Sequence, residues 1–426
     1  MSNIKHFLSL MIFSLLSGIV HAKAVPITHC FSESVHDRYS LESIAKDMDA
    51  SYYLANDLWC RNVPFAPIGN KNDDGFIFSG QLDGNGYGIY HLNIQHPEKQ
   101  RDQPTGLFSH LAGATITHLK IFYSQALSRP DYDVGMLAGK VSGAGALIND
   151  VSLNSIILKN FPGSNGKDRE GASGGLIGTG ANLDISNVKV SNINIQRNKF
   201  AGGLIGKAGK AEIDYAEVHN INNLDPYQDI GCRMHEPCGF GGLIGRIEGA
   251  VTVQRSSVND GLIRAERVAG GFVGFVNVES TAKFIDSYSN IEVHAKYLDA
   301  GGIIGNAQIM VNQPDNHNDI IFERVFVLGK SNMKAMVGSG GNRVVDKGDD
   351  TELCTRLFEL DCSTSYTLGN QPGVDVSVQL STIQMQNPDD IQYFGKLDDL
   401  GDYIWSREVW HMESGQYPTL QPKPID

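Results

Sequence analysis

Six cysteines, two of them flanking a histidine, are the side chains of this chain best suited to covalent or metal chemistry. They form three local couples: Cys30 with Cys60, Cys232 with Cys238, and Cys354 with Cys362. An even count at short spacing suits disulfides in an oxidising compartment, although six cysteines allow 15 connectivities. The middle couple reads Cys232-Arg233-Met234-His235-Glu236-Pro237-Cys238, and two thiolates flanking an imidazole can hold zinc. No fourth ligand is evident nearby, so the pattern favours a bridged loop, with no metal or cofactor. Tyr227, Arg233, Met234 and His235 then become contact residues on a stiffened loop, where rigid scaffolds commonly bind ligands. The plainer alternative is a loop that only covers the side of the fold.

Carboxylates are the second set of candidates. Asp184, Asp214 and Glu217 recur in neighbouring segments, and a pair about 5 Å or more apart can act as acid and base on a glycosidic bond. The position ahead of one strand in successive units reads Asp150, Asn187, Tyr215, Arg255, Asp286, Arg324. No charge type recurs there, so no metal or polymer ladder is indicated. Asp83-Gly84-Asn85-Gly86 lacks the alternating ligands of a calcium loop and reads as a tight turn. No Ser-His-Asp arrangement or phosphate-binding glycine loop is present, and no catalytic residue is assigned.

The elements that must hold these residues are repeats. Of 426 residues 47 are glycine, and they recur in one phrase: Gly174-Gly175-Leu176-Ile177-Gly178, Gly202-Gly203-Leu204-Ile205-Gly206 and Gly241-Gly242-Leu243-Ile244-Gly245. Variants follow at Gly270–Gly274 and Gly301–Gly305, with weaker copies at Gly106 and Gly135. The intervals are 29, 40, 28, 39, 29 and 31 residues. Between phrases, pairs such as Val188/Val190 and Ile193/Ile195 alternate with polar residues, which is strand periodicity. A unit that cannot bury its own inner face must be covered by its neighbours. The expected fold is all-β: a right-handed parallel β-helix of three strands per coil in repeats of about 29 residues. Two long intervals hold insertions, 161–171 and 225–238, which should leave the same side of the coils about 10 Å apart. A third, 311–318, leaves elsewhere. Asn192, Asn220 and Asn290 are expected to stack at one corner.

The ends and the charge bound the setting. Lys5, an apolar run from Phe7 to Val20 and Ala22-Lys23-Ala24 read as a cleavable export signal rather than a membrane span. Its removal leaves 33 basic and 48 acidic side chains. An acidic chain without basic runs argues against nucleic acid as a partner. No later segment is apolar enough to span a membrane as a helix.

The Gly-Gly phrases, Ala66-Pro67-Ile68-Gly69, Leu82-Asp83-Gly84-Asn85-Gly86-Tyr87 and the closing Tyr417-Pro418-Thr419-Leu420 resemble the GLUG-motif proteins. Those are exported bacterial proteins, many described as adhesins, whose repeat also occurs beside immunoglobulin-A-cleaving metallopeptidase domains. The peptidase branch would need His-Glu-x-x-His, whereas His235-Glu236 here is followed by Pro237 and Cys238, so that activity does not carry over. The resemblance implies a secreted, cell-surface or periplasmic binding protein, with a host or neighbouring-cell surface protein or glycan as partner. A polysaccharide lyase or hydrolase on the same scaffold is the alternative. The expected organisation is a signal at 1–24, an N-terminal cap at 25–62, the β-helix at 63–345 and a C-terminal cap region at 346–426. Leu41–Met48 should close the start, and Trp405, Trp410 and Tyr417 should plug the end.

Overall fold

The computed structural model describes residues 24–69, 76–96, 103–129, 131–160, 171–196, 199–224, 238–277, 280–296, 299–307, 319–329, 337–340, 366–368, 378–390, 394, 395, 397 and 402–423. Residues 1–23, all but the last residue of the expected signal, nearly all of the two long insertions and the third insertion lie outside them.

Between Val134 and Val327 each described turn of the chain contributes to each of three parallel sheets. Ala172–Gly174 lies in the second sheet, Ile177–Gly180 in the third and Leu183–Gln196 in the first. The next turn repeats this with Phe200–Gly202, Ile205–Ala208 and Ala211–Leu224. Equivalent strands pair in register, Ala172 with Phe200, Ile177 with Ile205 and Leu183 with Ala211. This is the connectivity of a parallel β-helix. Inward columns such as Ile148, Ile185, Ile213, Val253, Phe284 and Phe322 are at most 1% exposed. Burying each such side chain is worth roughly 1.5–3 kcal/mol.

The repeated phrase straddles two sheets instead of forming one strand. Gly174 ends a strand of the second sheet, Gly175 and Leu176 turn the corner, and Ile177 opens the third. That is why Leu176 and Ile177 are both fully buried, where a flat strand would expose one of them. The glycines exist because backbone meets backbone. A Cβ on Gly178 would stand 2.5 Å from the Gly139 carbonyl oxygen and 2.7 Å from the Val134 nitrogen.

The first-sheet strands bend twice without breaking. Within Leu183–Gln196, Asn187 and Asn192 both have φ of +53°, dividing the strand into three extended segments. The same left-handed kink recurs at Asp150, Tyr215, Arg255, Asp286 and Arg324, the column in which no charge type recurs. The shared property is therefore conformational. Asparagine and aspartate tolerate it, whereas larger residues are strained there. Arg255 is held by both oxygens of Asp214, at 2.8 and 2.6 Å, with its guanidinium 4.7 Å from the Tyr215 ring centre. The asparagine ladder runs Asn154, Asn192, Asn220, with amide bonds of 2.9 and 2.7 Å. Asn290 does not join it: it pairs with Asn259, one residue ahead of the kink at Asp260, and the register shifts only beyond that pair.

At the start, Ser40 caps a 3-10 helix, Leu41–Lys46, that buries Leu41 and Ile44 in the main core. Strand Val25–Ile27 pairs with Ser51–Leu54, which pairs with Gln81–Asp83 of the same sheet. At the other end the expectation of a plug needs correction. Trp405 and Trp410 are buried, but against Tyr288 and Phe326 in a cluster separate from the main core. Register aligns Tyr288 with Ser257, and Ser257 with the outward Glu217 and Lys189. The closing segment thus clamps the outer face of the first sheet, because the aromatic surface it needs lies there.

Candidate binding surface

Alternate residues of each extended segment point outward, and parallel register aligns them into columns. Near the N-terminal end two columns run Ser51, Gln81, Thr115 and Tyr53, Asp83, Thr117. With Asn85 they line a cavity of about 340 Å³. Asp83 Oδ1 accepts from the Asn85 backbone N–H at 2.7 Å and lies 3.0 Å from His118 Nδ1. Asn85 and Gly86 have φ of +51° and +78°. Asp83-Gly84-Asn85-Gly86 is thus an Asx turn, the tight turn its composition implies, and it holds a carboxylate at the rim of the cavity.

Beyond the kink at His118 the same rungs carry aromatic rings. Trp59 stacks on Tyr90 at 4.5 Å with 12° between planes, and Tyr90 meets Phe122 edge-on at 5.7 Å. In the adjoining column His91 stacks on Tyr123 at 5.6 Å. Trp59 is 59% exposed and Tyr123 55%. Gln125 Nε2 donates to Asn93 Oδ1 at 3.0 Å beside them. Exposed, pre-stacked rings flanked by amides, next to a hydroxyl-lined cavity, can hold a polyhydroxylated or peptide ligand through ring contacts and hydrogen bonds. Sequence reasoning missed this ladder, because these rungs precede the Gly-Gly phrases. The 31- and 32-residue spacing of Trp59, Tyr90 and Phe122 was the available signal.

Two of the three carboxylates singled out by sequence are already engaged. Asp214 holds Arg255. Glu217 accepts from Lys189 Nζ at 3.0 Å and lies 3.1 Å from His219 Nε2. The hydrogen bond with His219 lowers its pKa most; Lys189 adds to this and outweighs burial, leaving it at about 2. A glycosidase acid must hold its proton near neutral pH, and Glu217 is driven the opposite way. Asp184 is exposed. Asp133 does have a raised pKa, through burial, but Oδ1 accepts from the Ala172 N–H at 2.9 Å. It anchors the chain where an insertion rejoins the second sheet.

Cys30 and Cys60 form a disulfide. Cys238 is disulfide-bonded, while Cys232, Cys354 and Cys362 lie outside the described residues. So do Tyr227, Arg233, Met234 and His235. The two long insertions rejoin the second sheet at Ala172 and Gly239, on either side of Phe200 in one column, which is two rungs or about 10 Å. Among the described residues no helix is long and apolar enough to cross a membrane.

No family model matches the chain. Halomucin from Haloquadratum walsbyi (strain DSM 16790 / HBSQ001) is 28% identical over 169 residues, 34% of this chain. The chain covers only 2% of that relative's length. Among solved structures, an IgA1 protease aligns over 94% of this chain and 25% of its own, at 15% identity and a TM-score of 0.43. A putative immunoglobulin A1 protease from Bacteroides ovatus aligns over 93% of this chain and 92% of its own, at 12% identity and 0.45.

Proposed function

We propose that this chain is an exported, right-handed parallel β-helix of the GLUG-motif type. In this proposal it binds a glycan or protein ligand on a host or neighbouring-cell surface and does not catalyse a reaction. The observation that carries the proposal is the Trp59–Tyr90–Phe122 ladder, with Trp59 and neighbouring Tyr123 exposed, beside the hydroxyl- and amide-lined cavity. Uncovered aromatic surface of this kind is costly to maintain and is characteristic of recognition sites. The Cys30–Cys60 disulfide fits an oxidising, extracytoplasmic setting. The loop bearing Tyr227, Arg233, Met234 and His235, bridged by Cys232 and Cys238, would add a second contact region.

The test is binding of the full chain to host-cell lysates and to glycan arrays, compared with W59A/Y123A and with a chain lacking 225–238. Loss in the aromatic variant is the expected result; unchanged binding would remove the ladder from consideration. Polysaccharide cleavage is the competing function, resting on fold analogy. The ion-paired state of Asp214 and Glu217 argues against it. Product release from a panel of neutral and acidic polymers would reinstate it.

A further inference from the structure

The third sheet presents one outward residue per rung in its central strands. Register aligns His110 with Lys140, Lys140 with Thr179, Thr179 with Lys207 and Lys207 with Arg246. Five successive rungs thus carry three permanent cations and a histidine, with no carboxylate in the column. At a rung spacing of about 4.8 Å, Lys207 and Arg246 are direct neighbours and Lys140 lies two rungs from Lys207. Adjacent like charges destabilise a sheet, and the whole chain carries a formal charge of −13. A cationic column on an acidic protein therefore needs a reason.

Its surroundings hold Arg246 in place. The Arg246 guanidinium carbon lies 4.8 Å from the Phe200 ring centre and 5.6 Å from that of Phe275, two cation–π contacts that fix its direction. Lys199 Nζ stands 5.8 Å from the same Phe200 ring centre. The facing carboxylates come from outside the column. Glu248 lies 3.1 Å from Arg246 Nε, and Asp133 is close enough to feel Lys207 and Lys140, though one of its oxygens is committed to the Ala172 N–H. Lys140 is exposed and Lys207 half-buried.

We propose that this column binds a linear anionic polysaccharide lying along the coil axis. Cations repeated every one or two rungs match a polymer with regularly spaced uronate or sulfate groups better than a single small anion. A stripe one residue wide neutralises too little charge for duplex nucleic acid on an acidic protein. The surface is separate from the Trp59 ladder and does not depend on it.

The experiment measures binding of the full chain to polygalacturonate, chondroitin sulfate, neutral dextran and a single-stranded oligodeoxynucleotide across a salt series. Wild type should bind at least one of the anionic glycans and not dextran, with affinity falling as salt rises. K140Q/K207Q should lose at least ten-fold in affinity and flatten the log–log salt slope by about one to two. K283Q, a charge removed from a different sheet, should leave binding intact. Uronate against sulfate preference identifies the source of the anion. No binding to either glycan, equal binding by K140Q/K207Q, or preference for the oligonucleotide would overturn the proposal.

Discussion

The indole Nε1 of Trp410 donates to Asp286 Oδ1 at 3.0 Å, although 124 residues separate them in sequence. Asp286 is the kink residue of its rung and also receives both arms of Arg324, Nε at 2.6 Å and Nη2 at 2.9 Å. One buried carboxylate therefore ties a coil, its neighbour and the closing segment together. Burial opposes the Arg324 charge, but Asp286 and Glu323 more than compensate, so its pKa is raised.

Replacing Trp410 with phenylalanine should keep the ring packing, lose the hydrogen bond and cost about 1–2 kcal/mol. Alanine should cost about 3–5 kcal/mol and free the closing segment for proteolysis while the strand signal in circular dichroism persists. Urea titration and limited proteolysis with mass spectrometry read both. Equal protease resistance of W410A and wild type would refute the clamp.

Gly206→Ala places a Cβ 2.5 Å from the Gly178 carbonyl oxygen and 2.7 Å from the Ser173 nitrogen. Neither backbone atom can yield without parting two sheets. The expected loss is on the order of 3 kcal/mol or more. Gly86→Ala is the comparison, since its Cβ would enter open space and only its φ of +78° is strained, worth about 1–2 kcal/mol. Chemical denaturation of the two variants should rank them in that order.

The Cys30–Cys60 bridge joins residues 30 apart at the start of the stack. Serine at both positions should lower stability by about 2–5 kcal/mol. Melting of wild type and the double variant, with and without reductant, measures it. Added reductant should have a smaller effect on the double variant.

Glu217 contributes a pH dependence of defined sign. Its folded pKa of about 2 lies below its ordinary 4.5, so the unfolded chain takes up the proton first. The stabilisation is complete above about pH 4.5 and is lost as pH falls towards 2. E217Q should flatten the acid limb of the stability profile in that window and leave stability near pH 7 less affected by acidification. Denaturation midpoints between pH 2 and 6 test this; an unchanged acid limb would show that the ion pairs with Lys189 and His219 carry no linkage.

Much of the fold was legible because it is local and periodic. The Gly-Gly phrases, the Val188/Val190 and Ile193/Ile195 alternation and the Asn192–Asn220 stacking each follow from backbone and burial rules within one unit. The turn at Asp83–Gly86 is equally local. Asn290 failed because register pairs it with Asn259, one residue short of the kink at Asp260, and nothing in its own segment signals that.

The sequence by itself determined that units repeat, that they alternate as strands and that glycine is required at each junction. These follow from side-chain size and spacing along the chain. Tertiary structure decided what lies beside what. It placed Gly178 against Val134 across two sheets, brought Lys140, Lys207 and Arg246 into one column, and turned the closing tryptophans onto the outer face. The physical reason is that register between rungs, not distance along the chain, sets which charges and rings are neighbours.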